Sequence, residues 1–127
     1  MPRTGLLVVE DDPSVHQFLK EAIPLLFQGP SYFAETGEQA LAIWHEHSSE
    51  IGILLTDVNL PGISGEELAS SLVRENQNLI VIVSSGRQLD LERLEQKFNC
   101  KVALLQKPFL ISDLSQLLAE ALASPVP

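Results

Sequence analysis

The sequence is short of cysteine, of basic residues and of long apolar runs, and each shortage removes a class of protein. Cys100 is the single cysteine among 127 residues. It excludes an intramolecular disulfide and a multi-cysteine zinc site, and a reducing, cytosolic setting is expected. Eight Lys and Arg stand against seventeen Asp and Glu, a formal net charge of −9. A surface of that sign repels nucleic acid and anionic membrane, and it suits a cation or a partner with a basic patch. The first apolar run, Gly5-Leu6-Leu7-Val8-Val9, is too short for a signal-peptide core and leads into Glu10-Asp11-Asp12. Nothing approaches the roughly 20 apolar residues of a membrane helix. There is no G-x-G-x-x-G, no phosphate-binding P-loop, no internal repeat and no low-complexity stretch.

What remains is 45% apolar and 20% charged, enough to bury one core. Residues 1–127 are expected to form a single domain with its core at about 5–123, and residues 124–127 read as a loose end. Short apolar runs at 6–9, 31–34, 51–56, 79–83 and 102–105 read as strands, three of them apolar enough to be covered on both faces. Amphipathic stripes lie between them: Val15, Phe18, Leu19, Ala22, Ile23 and Leu26; Ala40, Leu41 and Trp44; Leu68, Leu72 and Val73; Leu91, Leu94 and Phe98; and Leu114, Leu117, Leu118, Ala121 and Leu122. Asp12-Pro13, Thr36 with Gln39, Ser64 with Glu67, and Ser112 are expected to cap helices. Pro24 should bend or end the first helix nearby. The pattern predicts an α/β fold of (βα)5 type, a parallel sheet with helices on both faces.

In such a sheet, ligands bind beyond the carboxyl ends of the strands. Glu10, Asp11 and Asp12 follow strand 1, Asp57 follows strand 3, Ser84-Ser85-Gly86 follow strand 4, and Lys107-Pro108-Phe109 follow strand 5. With strands 1 and 3 adjacent, several carboxylates crowd together and repel one another. A divalent cation relieves that conflict, and all-oxygen ligands suit magnesium. The lysine and a hydroxyl can then hold an anion beside the cation. Together these are the parts that a transferring phosphoryl group needs, with a carboxylate as nucleophile.

Val8-Val9-Glu10-Asp11-Asp12-Pro13, Leu55-Thr56-Asp57-Val58-Asn59-Leu60-Pro61-Gly62-Ile63-Ser64-Gly65, Val83-Ser84-Ser85-Gly86 and Gln106-Lys107-Pro108-Phe109 occur in this order along the whole chain. In these motifs and their spacing the sequence resembles the response-regulator receiver domain. The resemblance implies a flavodoxin-like doubly wound sheet of strand order 2-1-3-4-5. It implies that Asp57 is the phosphoacceptor, and that Asp11 binds Mg²⁺ directly while Glu10 acts through water. Asn59 would complete the metal site with its backbone carbonyl. Ser84 would grip the phosphoryl group and Lys107 would pair with one of its oxygens. Val58 and Ser85 would meet the phosphoryl group through their backbone, Ser85 being small enough to let it approach. The Lys107–Pro108 bond would be cis.

The implied partners are a sensor histidine kinase or a histidine phosphotransfer protein, with helix 4, strand 5 and helix 5 as a possible homodimer face. The 127 residues would hold a receiver alone, free-standing or taken from a hybrid sensor kinase, with no nucleic-acid or membrane-inserting output of its own. One departure stands out. The family's switch aromatic, three residues before the lysine, is replaced by Leu104, itself expected as a core residue of strand 5.

The alternative is a receiver-shaped adaptor that is never phosphorylated, against which Asp57, Ser84 and Lys107 all speak. A haloacid-dehalogenase-type phosphatase would need a second acid at Asn59. A flavodoxin-like electron carrier would need a phosphate cradle where Glu10 and Asp11 stand. His16, His45 and His47 are expected at the surface. Pro61-Gly62 predicts a type II turn.

Overall fold

Ten elements alternate along residues 4–123, the part of the chain described by the computed structural model: β1 (Gly5–Val9), α1 (Pro13–Leu26), β2 (Ser31–Ala34), α2 (Gly37–His47), β3 (Ile51–Asp57), α3 (Gly65–Glu75), β4 (Ile80–Ser85), α4 (Leu91–Phe98), β5 (Val102–Gln106) and α5 (Ile111–Ala123). The loose end expected at residues 124–127 lies outside the described residues. The sheet order is β2-β1-β3-β4-β5 and every pairing is parallel. This is the doubly wound order implied by the resemblance. Among the described residues no helix is long and apolar enough to cross a membrane.

Period-2 alternation sorts the strand side chains onto two faces. Leu7, Val9, Leu54, Val81 and Val83 pack with Trp44 of α2, Leu68, Leu72 and Val73 of α3, and Leu94 and Phe98 of α4. Leu6, Val8, Ile53, Leu55 and Ile82 face the other way, against Leu19 and Ile23 of α1 and Leu114 and Leu118 of α5. Each such Leu, Ile or Val contributes about 1.5–3 kcal/mol by leaving water, and the faces together fix the register. Leu122 departs from its predicted stripe. It is 51% exposed, at the outer edge of the α5 stripe.

The caps largely follow the sequence. The Asp12 carboxylate accepts from the N–H groups of Ser14 and Val15. Thr36 Oγ1 accepts from Gln39 N–H at 3.0 Å, while Gln39 Oε1 accepts from Glu35 N–H rather than from the cap residue itself. Ser64 Oγ accepts from Glu67 N–H at 3.1 Å. Ser112 does not cap the last helix. That helix starts one residue earlier, and the Asp113 carboxylate reaches back to accept from Leu110 N–H at 2.9 Å. Pro24 sits inside α1, which ends two residues later at Leu26.

Two differences at strand ends matter for the site. Asp57 ends β3 and Ser84 and Ser85 end β4, so all three belong to the ladder rather than to loops. Asp57 is in register with Ser84, and Ser85 with Gln106. The apolar runs stop earlier because the ladder uses main-chain groups, which continue to pair after the side chains turn polar. Beyond β3, Gly62 adopts φ +73°, as a type II turn requires. At Gly65 a Cβ would overlap the Asp57 carbonyl oxygen, so only glycine lets α3 start flush against the end of β3.

Candidate functional site

Parallel strands all end at the same rim, and the order β1-β3-β4-β5 sets Glu10, Asp57, Ser84 and Lys107 side by side there. Glu10 follows β1 directly and is 2% exposed; Asp57 is 8% exposed. Donor oxygens of Glu10, Asp11 and Asp57 all lie within 4.8 Å of one another. Lys107 spans this cluster, its Nζ 2.7 Å from Glu10 Oε1 and 3.0 Å from Asp57 Oδ2. Three carboxylates and one ammonium leave two negative charges in excess. The donors are all hard oxygens, one of them on the exposed Asp11. That set fits a hard divalent cation.

The backbone holds each acid in place. Glu10 N–H donates to Ala34 O at 3.0 Å, and Glu10 Oε2 accepts from Asp12 N–H at 3.1 Å. Asp57 Oδ1 accepts from Asn59 N–H at 3.1 Å. Lys107 N–H donates to Ser85 O at 2.8 Å, and the Lys107–Pro108 bond is cis. Ser84 Oγ is buried without a hydrogen-bond partner. An orphan buried hydroxyl costs free energy, and here it lies on the strand residue paired with Asp57.

Electrostatics follow from burial. Glu10 is pushed above the usual carboxylate range by burial, against the lowering effect of Lys107 and Asp12 N–H; the Asp57 charge adds to the rise. Burial opposes the Lys107 charge, yet Glu10 and Asp57 more than compensate and raise its pKa. Lys107 is therefore a full cation at neutral pH.

Of the sequence-predicted site residues, the structure brings Glu10, Asp11, Asp57 and Lys107 together and sets Ser84 in register with Asp57. Val58 is expected to meet the phosphoryl group through its backbone; its N–H donates to Ser84 O at 3.1 Å. The amide that faces the Asp57 carboxylate is that of Asn59. The signal was available: an Asp side chain that accepts from the N–H two residues on is an Asx-turn. His16 also departs from expectation. It is buried at 9% exposure, with Nδ1 3.1 Å from the Glu10 carbonyl oxygen. His45 is exposed, and His47 is half-buried, stacked on Tyr32 and bonded to Glu50.

Residues 6–119 match the response regulator receiver domain family. The chain is 42% identical over 64 residues to the virulence sensor protein BvgS of Bordetella bronchiseptica, covering 50% of this chain and 5% of that protein. It is 32% identical over 108 residues to the transcriptional regulatory protein MalR of Bacillus subtilis, covering 83% of this chain and 44% of MalR. The chain thus spans a small part of BvgS and under half of MalR. Among solved structures, the CheX–CheY–BeF3–Mg complex from Borrelia burgdorferi aligns with a TM-score of 0.83 at 19% identity, covering 94% of this chain and 90% of that one. A receiver domain protein from Clostridium thermocellum aligns with a TM-score of 0.80 at 24% identity, covering 93% of each chain. Both share the fold. The motifs that the sheet delivers to one rim are thus carried within a match over most of the chain, and the protein belongs to the response regulator receiver domain family.

Proposed function

We propose that the chain is the phosphoacceptor of a two-component system. Asp57 takes a phosphoryl group from a phosphohistidine of a sensor histidine kinase or histidine phosphotransfer protein, in a Mg²⁺-dependent reaction, and keeps it until water removes it. The observation that carries this reading is the Glu10–Asp11–Asp57 cluster with Lys107 bound across it. Asp11, Asp57 and the Asn59 backbone carbonyl would hold Mg²⁺, with Glu10 acting through water, and the bound ion would supply positive charge beside the phosphoryl oxygens.

The chain's own groups do the rest. An Asp57 carboxylate oxygen attacks phosphorus as the donor N–P bond breaks. The electron pair stays on the imidazole nitrogen, which takes up a proton. Lys107, kept protonated by its acidic neighbours, turns from Asp57 to a phosphoryl oxygen. The Ser84 hydroxyl gains the hydrogen-bond partner it lacks by donating to another. Ser85 offers its backbone at close range, and the Asn59 amide is already aimed at the Asp57 carboxylate. Water later attacks phosphorus, releasing inorganic phosphate and restoring Asp57. The chain catalyses only this change in itself, and its setting is the cytoplasm.

Leu104 is half-buried against the α2–α3–α4 core and in register with Val83. A hydroxyl-to-aromatic switch has no aromatic ring at this position. The phosphorylated state acts by relaying the phosphoryl group or by binding a partner, with α4, β5 and α5 as the candidate contact or homodimer face. The test is transfer from a phosphohistidine-bearing kinase core or a small acyl phosphate in the presence of Mg²⁺. Wild type should be labelled, while Asp57→Asn should fold normally and take no label. Equal labelling of the two proteins would overturn the assignment.

A further inference from the structure

His16 is the one buried histidine among the described residues, and the proposed chemistry gives it no part. It sits in the first turn of α1, where its N–H donates to Asp12 O at 2.8 Å. Its ring Nδ1 lies 3.1 Å from the Glu10 carbonyl oxygen. A carbonyl only accepts, so Nδ1 carries the proton in that bond. Phe33 of β2 meets the ring edge-on, with centroids 6.2 Å apart and planes at 71°, which fixes the imidazole plane.

The consequence lies in the peptide that His16 holds. The Glu10 carbonyl belongs to the peptide unit joining Glu10 to Asp11. On its upstream side Glu10 is tied to β2 through its N–H to Ala34. On its downstream side Asp12 is tied into the helix cap. His16 pins the link between these two anchors. Asp11 is exposed, and the direction its side chain takes follows from the orientation of that peptide. Turning the peptide would swing Asp11 away from Asp57, although their donor oxygens now lie within 4.8 Å.

We infer that His16 is a positioning residue for the cation site. Its Nδ1–H fixes the Glu10–Asp11 peptide so that the Asp11 and Glu10 carboxylates face Asp57. Hydrogen bonds of this kind, one step removed from the ligands, typically change metal affinity by about 10–100-fold when lost. The inference rests on the reading that this cluster binds Mg²⁺, and the experiment separates the two.

Mg²⁺ is titrated calorimetrically into the wild type, His16→Leu and His16→Asn, with thermal melts of each in the absence of Mg²⁺. Leucine fills much of the space without a donor; asparagine returns an N–H near the place of Nδ1. The expected result is Mg²⁺ affinity about tenfold weaker in His16→Leu and largely restored in His16→Asn. A purely structural role would lower Tm while leaving the affinity of the folded protein unchanged. Wild-type affinity in His16→Leu, or an asparagine variant as weak as the leucine one, overturns the inference. Absence of Mg²⁺ binding by the wild type overturns the metal reading itself, and the inference with it. Should His16→Leu fail to fold, ¹⁵N NMR of the wild-type ring and the His16→Asn titration decide. A ring lacking the Nδ1 proton, or an asparagine variant that binds no Mg²⁺, refutes the proposal; a protonated Nδ1 with near-native binding by His16→Asn supports it.

Discussion

Replacing Asp11 by Asn separates the two consequences of crowding three carboxylates. Without a cation, Asp11 repels Glu10 and Asp57 across at most 4.8 Å. Coulomb's law gives about 1 kcal/mol per pair at the dielectric of water and about 3.5 kcal/mol at an effective dielectric of 20. Asp11 is exposed, so the lower figure governs. Two repulsions of about 1 kcal/mol, partly offset by the Lys107 ammonium, leave a net strain near 1 kcal/mol. Asp11→Asn should therefore stabilise the metal-free protein by about 1 kcal/mol, a rise in Tm of about 3–5 °C for a chain of this length. With Mg²⁺ the order reverses. A cation at one hundred times its Kd adds about 2.7 kcal/mol to the wild type, and the variant should lose most of that gain. Thermal melts of both proteins, with and without Mg²⁺ at constant ionic strength, provide the assay. A variant that melts below the wild type without Mg²⁺ would refute the crowding argument. An equal Mg²⁺-induced rise in both proteins would refute the role of Asp11 as a ligand.

Other consequences can be checked with similar means. Burial raises the pKa of Glu10, so the folded state takes up this proton more readily than the unfolded chain. Metal-free stability should therefore fall as pH rises from the unfolded value through the higher folded one, and Glu10→Gln should flatten that slope in melts between pH 4 and 8. Glu66 has the opposite sign. The Arg93 guanidinium, aided by Lys97, holds its carboxyl below the usual range against burial. Its contribution is present above the unfolded pKa and is lost as pH falls through the lower folded one. Because its cationic partners are exposed, Glu66→Gln should cost less than about 1 kcal/mol at neutral pH in chemical denaturation. Ser84→Ala removes an orphan buried hydroxyl, so Tm should hold or rise slightly, while labelling by a phosphodonor should slow by about a hundredfold if Ser84 donates to the transferring group.

The sequence was legible wherever a side chain's chemistry and its spacing said the same thing. Five apolar runs and five amphipathic stripes located the elements because their periods differ. Asp57 and Lys107 could be singled out because a charged residue at or just beyond the end of an apolar run has nowhere to go but the rim of the sheet. What was lost depends on main-chain geometry. The ladder runs through Asp57 and Ser85 because backbone pairing ignores the polarity that ended the apolar runs. The Val58 amide is spent on Ser84, a fact of register that no residue type announces. His16 was expected at the surface because a histidine offers no apolar signal. Its burial rests on a partner, the Glu10 carbonyl, that every residue possesses. Ser112 was outcompeted as a cap by Asp113, whose longer reach lets it bond backward to Leu110.

The central claim is that one side chain, Asp57, is reversibly phosphorylated beside a cation. Borohydride reduction tests it most directly, because it converts an aspartyl phosphate, and not a free carboxylate, to homoserine. The chain would be treated with a small acyl phosphate and Mg²⁺, reduced, and mapped by tandem mass spectrometry. The account predicts homoserine at position 57 alone, and none when Mg²⁺ is chelated. An intact aspartate at 57, or homoserine at Asp11 or Asp12 instead, would contradict it.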